Sequence, residues 1–91
     1  MNEDEIINYL NNNGGCFEVY HKTSFTANRK AKDGTTQQLD IDIFDAGSTV
    51  NQDIRYYCEA RTKDGKTATS NPVQSIQEAL NKLRWYDLDA K

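Results

Sequence analysis

Apolar positions change their rhythm twice along this chain. Between Glu3 and Asn12, Ile6, Ile7 and Leu10 fall at helical spacing, and the acids Glu3, Asp4 and Glu5 stand at the end where the helix dipole favours negative charge. The run Asn11-Asn12-Asn13-Gly14-Gly15 ends that helix, because Asn and Gly tolerate the left-handed backbone of a helix terminus. From Phe17 onward the period becomes two. Phe17, Val19, His21, Thr23, Phe25 and Ala27 share one face of a first strand, and Leu39, Ile41 and Ile43 one face of a second. Ile54, Tyr56, Cys58 and Ala60 continue the same face on a third strand, and a short fourth runs from about Lys66 to Ser70.

The links between these strands decide which faces meet. A two-residue Asp-Gly turn in the first hairpin would pair Ile41 with Thr26 and set the apolar side of one strand against the polar side of the other. A three-residue loop, Lys32-Asp33-Gly34 with the glycine left-handed, pairs Ile41 with Phe25 and Leu39 with Ala27. The second register is the consistent one. The same geometry at Lys63-Asp64-Gly65 pairs Ala60 with Ala68 and Arg61 with Thr67.

After the fourth strand, Asn71 and Pro72 read as the cap and first position of a second helix, with Ser75 and Glu78 as an alternative capping box a few residues on. Ile76, Ala79, Leu80 and Leu83 form its apolar stripe, and Trp85, Tyr86 and Leu88 are expected to fold back over the core edge. The expected core gathers Ile41, Ile43, Tyr56, Ile76, Leu80 and Leu83. The expected fold is α+β: a three- to four-stranded antiparallel meander with an N-terminal and a C-terminal helix packed on one face, in one domain spanning 1–91. That element order is similar to the double-stranded RNA-binding domain. That family expects a Lys-Lys-x-Ala-Lys cluster at the start of its second helix; Pro72-Val73-Gln74-Ser75-Ile76 stands there without a cation. No RNA-binding function is implied.

Composition adds limits. The 91 residues are 36% hydrophobic with a mean hydropathy of −0.88, so the core is modest, but five Tyr, three Phe and one Trp restore buried area and argue for a folded domain. The start MNEDEIINYL has no basic segment and no long apolar run, so the expected address is cytoplasmic, with no membrane partner. Cys16 and Cys58 lack the spacing of a zinc or redox pair and are expected to be reduced, partly buried thiols, with a disulfide as the alternative.

Candidate chemistry is sparse. Gly65-Lys66-Thr67 ends like a phosphate-binding loop, yet Ala60 stands where its first glycine is needed and no helix follows, so the hairpin corner explains it. Asp40, Asp42 and Asp45 invite a metal, but the first two alternate with the apolar residues and read as a solvated strand face without a calcium-type loop. His21, the single imidazole, falls by parity on the inward face with no neighbour to activate, as a semi-buried side chain. No enzyme activity, metal or cofactor is expected.

Charge placement is more specific than the total of −3. In a meander both Lys-Asp-Gly corners lie at one end, which would cluster Arg29, Lys30, Lys32, Arg61, Lys63 and Lys66, with Lys82 and Arg84 returning towards them. That pole is a candidate anion or nucleic-acid site, disfavoured by the acidic total. Tyr20, Phe44 and Tyr57 have the parity of the face opposite the helices. An aromatic patch there points to a protein partner or a homodimer, and a non-catalytic binding or regulatory module is the leading expectation.

Overall fold

The computed structural model describes residues 1–89. Its element order is helix α1 (Glu3–Asn13), strands β1 (His21–Lys30), β2 (Thr36–Asp45), β3 (Tyr56–Thr62) and β4 (Thr67–Thr69), then helix α2 (Ile76–Asn81), with 3₁₀ turns at Gln52–Ile54 and Trp85–Leu88. The strands form one antiparallel sheet in the order β1-β2-β3-β4, the α+β meander expected from the sequence.

Both hairpins take the three-residue loop. Phe25 pairs with Ile41, Ala27 with Leu39, Ala60 with Ala68 and Arg61 with Thr67. The loops close through Ala31 N–H to Thr35 O at 2.7 Å and Thr62 N–H to Lys66 O at 2.9 Å. Gly34 and Gly65 supply the left-handed residue at φ 89° and 93°, a conformation that costs any residue with a β-carbon. Lys66 thus belongs to a strand corner, with no helix beyond it.

At its start α1 has the capping box of Asn2 and Glu5, with the Glu5 N–H donating to Asn2 Oδ1 at 2.9 Å. The helix is attached at the end of the sheet, in the link after β2. Asp4 accepts from the Ser48 N–H at 3.0 Å and the Ser48 hydroxyl at 2.7 Å, and Ile7 is buried beside Gly47.

The second helix starts later than Asn71-Pro72. Val73 is held in an isolated bridge to Tyr56, donating to its carbonyl at 2.7 Å and accepting from its N–H at 2.9 Å. That pairing keeps the chain extended until Ser75, whose hydroxyl accepts from the Glu78 N–H at 3.1 Å and caps α2.

The core lies over β2, β3 and β4: Leu39, Cys58, Ala60, Ala68, Val73, Ala79, Leu83 and Leu88 are buried together. Ala60, Ala68 and Ala79 let the backbones approach closely, and Leu39 and Leu88, 1% and 0% exposed, fill the space between. Three expectations are corrected here. Ile41, Ile43 and Leu80 pack against this cluster only partly buried, and Tyr56 is likewise intermediate. Ile76 is exposed, because a helix beginning at Ser75 leaves its first residue beyond the packed stripe. Ile54 belongs to a 3₁₀ turn instead of β3 and is also exposed. Of the last turn, Leu88 enters the core and Trp85 packs on it, while Tyr86 stays outside.

Nothing covers β1. Every residue from His21 to Asn28 is exposed, including Phe25 at 52%, and Phe17, expected to begin that strand, precedes it and is exposed too. Parity assigned these side chains to the inward face correctly; the helices do not reach that far across the sheet.

Candidate binding face

On the side of the sheet away from α2, pairing sets Phe44 of β2 opposite Tyr57 of β3, and Lys22 of β1 opposite Phe44. The Phe44 and Tyr57 rings stack, 4.4 Å between centroids at 6°. Tyr20, just before β1, sets its edge against both, at 6.0 Å from Phe44 and 5.4 Å from Tyr57. The structure therefore brings together all three aromatic residues expected on this face. Glu18, in the segment leading to Tyr20, is a non-glycine residue at φ 52°, a left-handed conformation worth about 1–2 kcal/mol of strain. Burial, then the neighbouring Tyr20 and the carboxylates of Glu59 and Glu18, raise the Tyr57 phenol above its ordinary value.

Next to the rings runs a polar stripe that corrects the reading of the aspartates. Asp40 is exposed as expected, but Asp42 is 3% exposed. Its carboxylate accepts from the Ser24 hydroxyl at 2.7 Å and meets Arg61 Nη2 at 3.0 Å, and Arg61 also binds Glu59. The Ser24 hydrogen bond and then Arg61 hold Asp42 below the usual carboxylate range despite its burial. Three neighbouring strands supply these side chains, so alternation along β2 alone had no means of showing them. Asp45 is also engaged, by Arg55 at 2.7 and 3.1 Å. Among the described residues no group of His, Cys, Asp and Glu could hold a metal ion.

The two Lys-Asp-Gly corners do lie side by side. An open groove of about 350 Å³ is lined by Thr35 to Gln38 from the first hairpin and by Thr62, Lys63, Asp64 and Lys66 from the second. A neighbouring groove adds Lys32, Asp33 and Asp89. The cations are not all available there. Arg29 is held by Asp89 through two bonds, 2.9 and 3.0 Å, with its guanidinium over the Trp85 ring. Arg61 serves Asp42 on the aromatic side, and Lys66 lies 3.9 Å from Asp64. Lys30, Lys32 and Lys63 are exposed. Lys82 pairs with Glu78 and Arg84 binds Thr69 of β4.

His21 is exposed instead of semi-buried, since β1 is uncovered. Both cysteines are free; Cys58 is fully buried, with its thiol pushed up by desolvation, whereas Cys16 is exposed instead of partly buried. No helix among the described residues is long and apolar enough to cross a membrane. No protein-family model, curated protein or solved structure matches this chain.

Proposed function

We propose that the chain is a non-catalytic binding or regulatory module that engages a protein partner through the Tyr20, Phe44 and Tyr57 face. The observation that carries this reading is the gathering of three rings from two strands and a leading segment on the side of the sheet away from α2. Phe44 and Tyr57 are half-buried by one another and Tyr20 caps them, so the patch is ordered before any partner arrives. Ordered aromatic side chains give large contact area at small entropic cost, which is why they dominate protein interfaces. Lys22, Glu59 and Arg61 rim the rings with both signs of charge, a polar edge of the usual interface kind. Strain at Glu18, in the approach to Tyr20, fits a segment shaped for recognition.

The alternative, polyanion binding by the hairpin corners, is weakened by the two arginines already bound to carboxylates and by Asp33 and Asp64 standing among the lysines. The discriminating experiment is affinity capture of the tagged chain from its native cell at low and high salt, alongside a Tyr20→Ala, Tyr57→Ser double variant and a Lys32, Lys63, Lys66→Glu triple variant. A protein retained at high salt by the wild type and the triple variant but lost from the double variant is the expected result. Capture that is salt-labile, unaffected by the aromatic changes and abolished by the lysine changes would overturn the reading in favour of a polyanion.

A further inference from the structure

The two edges of the sheet are treated differently. At one, β4 is three residues long, and Arg84 donates to Thr69 O from its backbone and its side chain, at 3.4 and 3.3 Å. At the other, β1 is ten residues long; Arg29 is held by Asp89, His21 and Lys22 share a groove with Glu3, Ile6, Ile7 and Leu10 of α1, and every residue from Thr23 to Asn28 is exposed. Ala31 is bonded to Thr35, and pairs alternate along an antiparallel ladder, so the odd residues of β1 direct their N–H and C=O groups to β2. Lys22, Ser24, Thr26, Asn28 and Lys30 direct theirs outward. A long open edge of this kind is a template for another strand.

Charge selects the occupant. The residues of β1 include Lys22, Arg29 and Lys30 and no acid. Antiparallel pairing with a second copy centred on Thr26 would set Lys22 of each chain opposite Lys30 of the other, and like charges directly opposite are unfavourable. Arg29 is neutralised by Asp89, which leaves Lys22 and Lys30 as the charges near the two ends of the edge, on the same face and about 27 Å apart at the rise of a strand. Between them Phe25 is exposed on the other face. We propose that β1 accepts an extended acidic segment of a partner protein as a fifth, antiparallel strand, with carboxylates opposite Lys22 and Lys30 and an apolar side chain against Phe25. In the register that would pair the whole edge the lysines repel a second copy, and they attract this partner. The edge shares Lys22 with the rim of the aromatic face but does not depend on that face's role.

The test is a synthetic peptide that alternates Val and Thr and carries Glu at the positions facing Lys22 and Lys30. Its controls are the same peptide with Lys for Glu, and one N-methylated on the amides that would bond the edge. Amide hydrogen exchange is followed by NMR. The acidic peptide should slow exchange at Ser24, Thr26 and Asn28 at least tenfold, whereas Phe25 and Ala27, already bonded to β2, should change little. The Lys and N-methylated peptides should do nothing, and a Lys22→Glu, Lys30→Glu variant should exchange its preference to the Lys peptide. Thr26→Pro should abolish the effect without removing a β1–β2 bond, because the Thr26 N–H points outward. Equal protection by the N-methylated peptide, indifference to peptide charge, or no protection of the even amides at millimolar acidic peptide would each overturn the proposal. These outcomes leave Tyr20 and Tyr57 untouched, so the two readings fail separately.

Discussion

Leu88→Ala is the sharpest test of how this small domain is held together. Leu88 sits in the 3₁₀ turn Trp85–Leu88, is 0% exposed and belongs to the core cluster with Leu39, Ala68 and Leu83. Truncating a buried leucine removes its transfer free energy and leaves a cavity, at a cost of about 2–5 kcal/mol. The surroundings of Leu88 argue against the lowest part of that range. A short turn cannot collapse inwards easily when its ends are bound, and here the Leu88 carbonyl accepts from Gln37 at 2.8 Å while Asp89 grips Arg29 and the Lys32 N–H. Domains of this size are stable by roughly 5–15 kcal/mol, so a loss of about 3 would consume a large fraction. At about 4–8 °C per kcal/mol, the melting midpoint should fall by about 12–24 °C. Thermal unfolding followed by far-UV circular dichroism measures that midpoint, and urea denaturation measures the free energy, with the slope m unchanged. Tyr86→Ala, two residues away and 67% exposed, is the internal control and should stay within about 0.5 kcal/mol of the wild type. A Leu88→Ala protein as stable as Tyr86→Ala would refute the docking of this turn and the core built around it.

Gly34→Val and Gly65→Val should each lose about 1–2 kcal/mol in the same assay, entirely from backbone strain, since no atom lies within 4 Å of a β-carbon built at either site. A neutral Gly65→Val would mean the second corner is not left-handed. Arg29 and the Lys32 N–H lower the Asp89 carboxyl from 3.8 to about 2, so in this window the unfolded chain takes up the proton first. The Asp89 contribution to stability should therefore be complete from about pH 5 upward and be lost as the pH falls towards 2, with a shallower decline in Asp89→Asn; identical profiles would contradict the clamp. Iodoacetamide on the native protein should label Cys16 at once and leave Cys58 untouched until urea is added, read by intact mass, because Cys58 is buried and its thiol raised. Native labelling of both would put Cys58 at the surface.

Local rules carried the strand registers. With Phe25, Ala27, Leu39 and Ile41 required on one face, only a three-residue loop satisfied both parity and the glycine, and the pairing agrees. The aromatic trio was legible for the same reason, since parity alone places Phe44 and Tyr57 together once the register is known. What parity does not contain is coverage. It sets Phe25 on the inward side and leaves open whether a helix extends over it; α2 is only six residues long and packs on β3, with the turn Trp85–Leu88 on β4. The sequence offered two starts for α2, and Ser75 prevails over Asn71-Pro72 because Val73 is held by Tyr56 in a bridge between distant residues. Asp42 and the basic pole escaped in the same way: the partners that bury Asp42 come from Ser24 and Arg61, and the one that takes Arg29 is Asp89. Runs of like charge in a sequence show where cations gather and say nothing of those already spent on carboxylates far along the chain.

The Asp89 clamp also orders events during synthesis. Its carboxylate joins the tip of the first hairpin to a residue made about sixty positions later than Arg29, after all four strands and α2 have been translated. Until then the β1–β2 hairpin emerges with Arg29 unpaired, Trp85 not yet stacked on it and Leu39 without Leu88 as a lid. A two-stranded hairpin is at best marginally stable alone, and contacts of long sequence separation form only after the loop entropy between them has been overcome. The nascent chain therefore presents an unsupported hairpin from the completion of β2 until Leu88 and Asp89 have been added. The ribosome and its attendant chaperones meet that hairpin, with its open β1 edge, before the finished protein exists to shield any part of it.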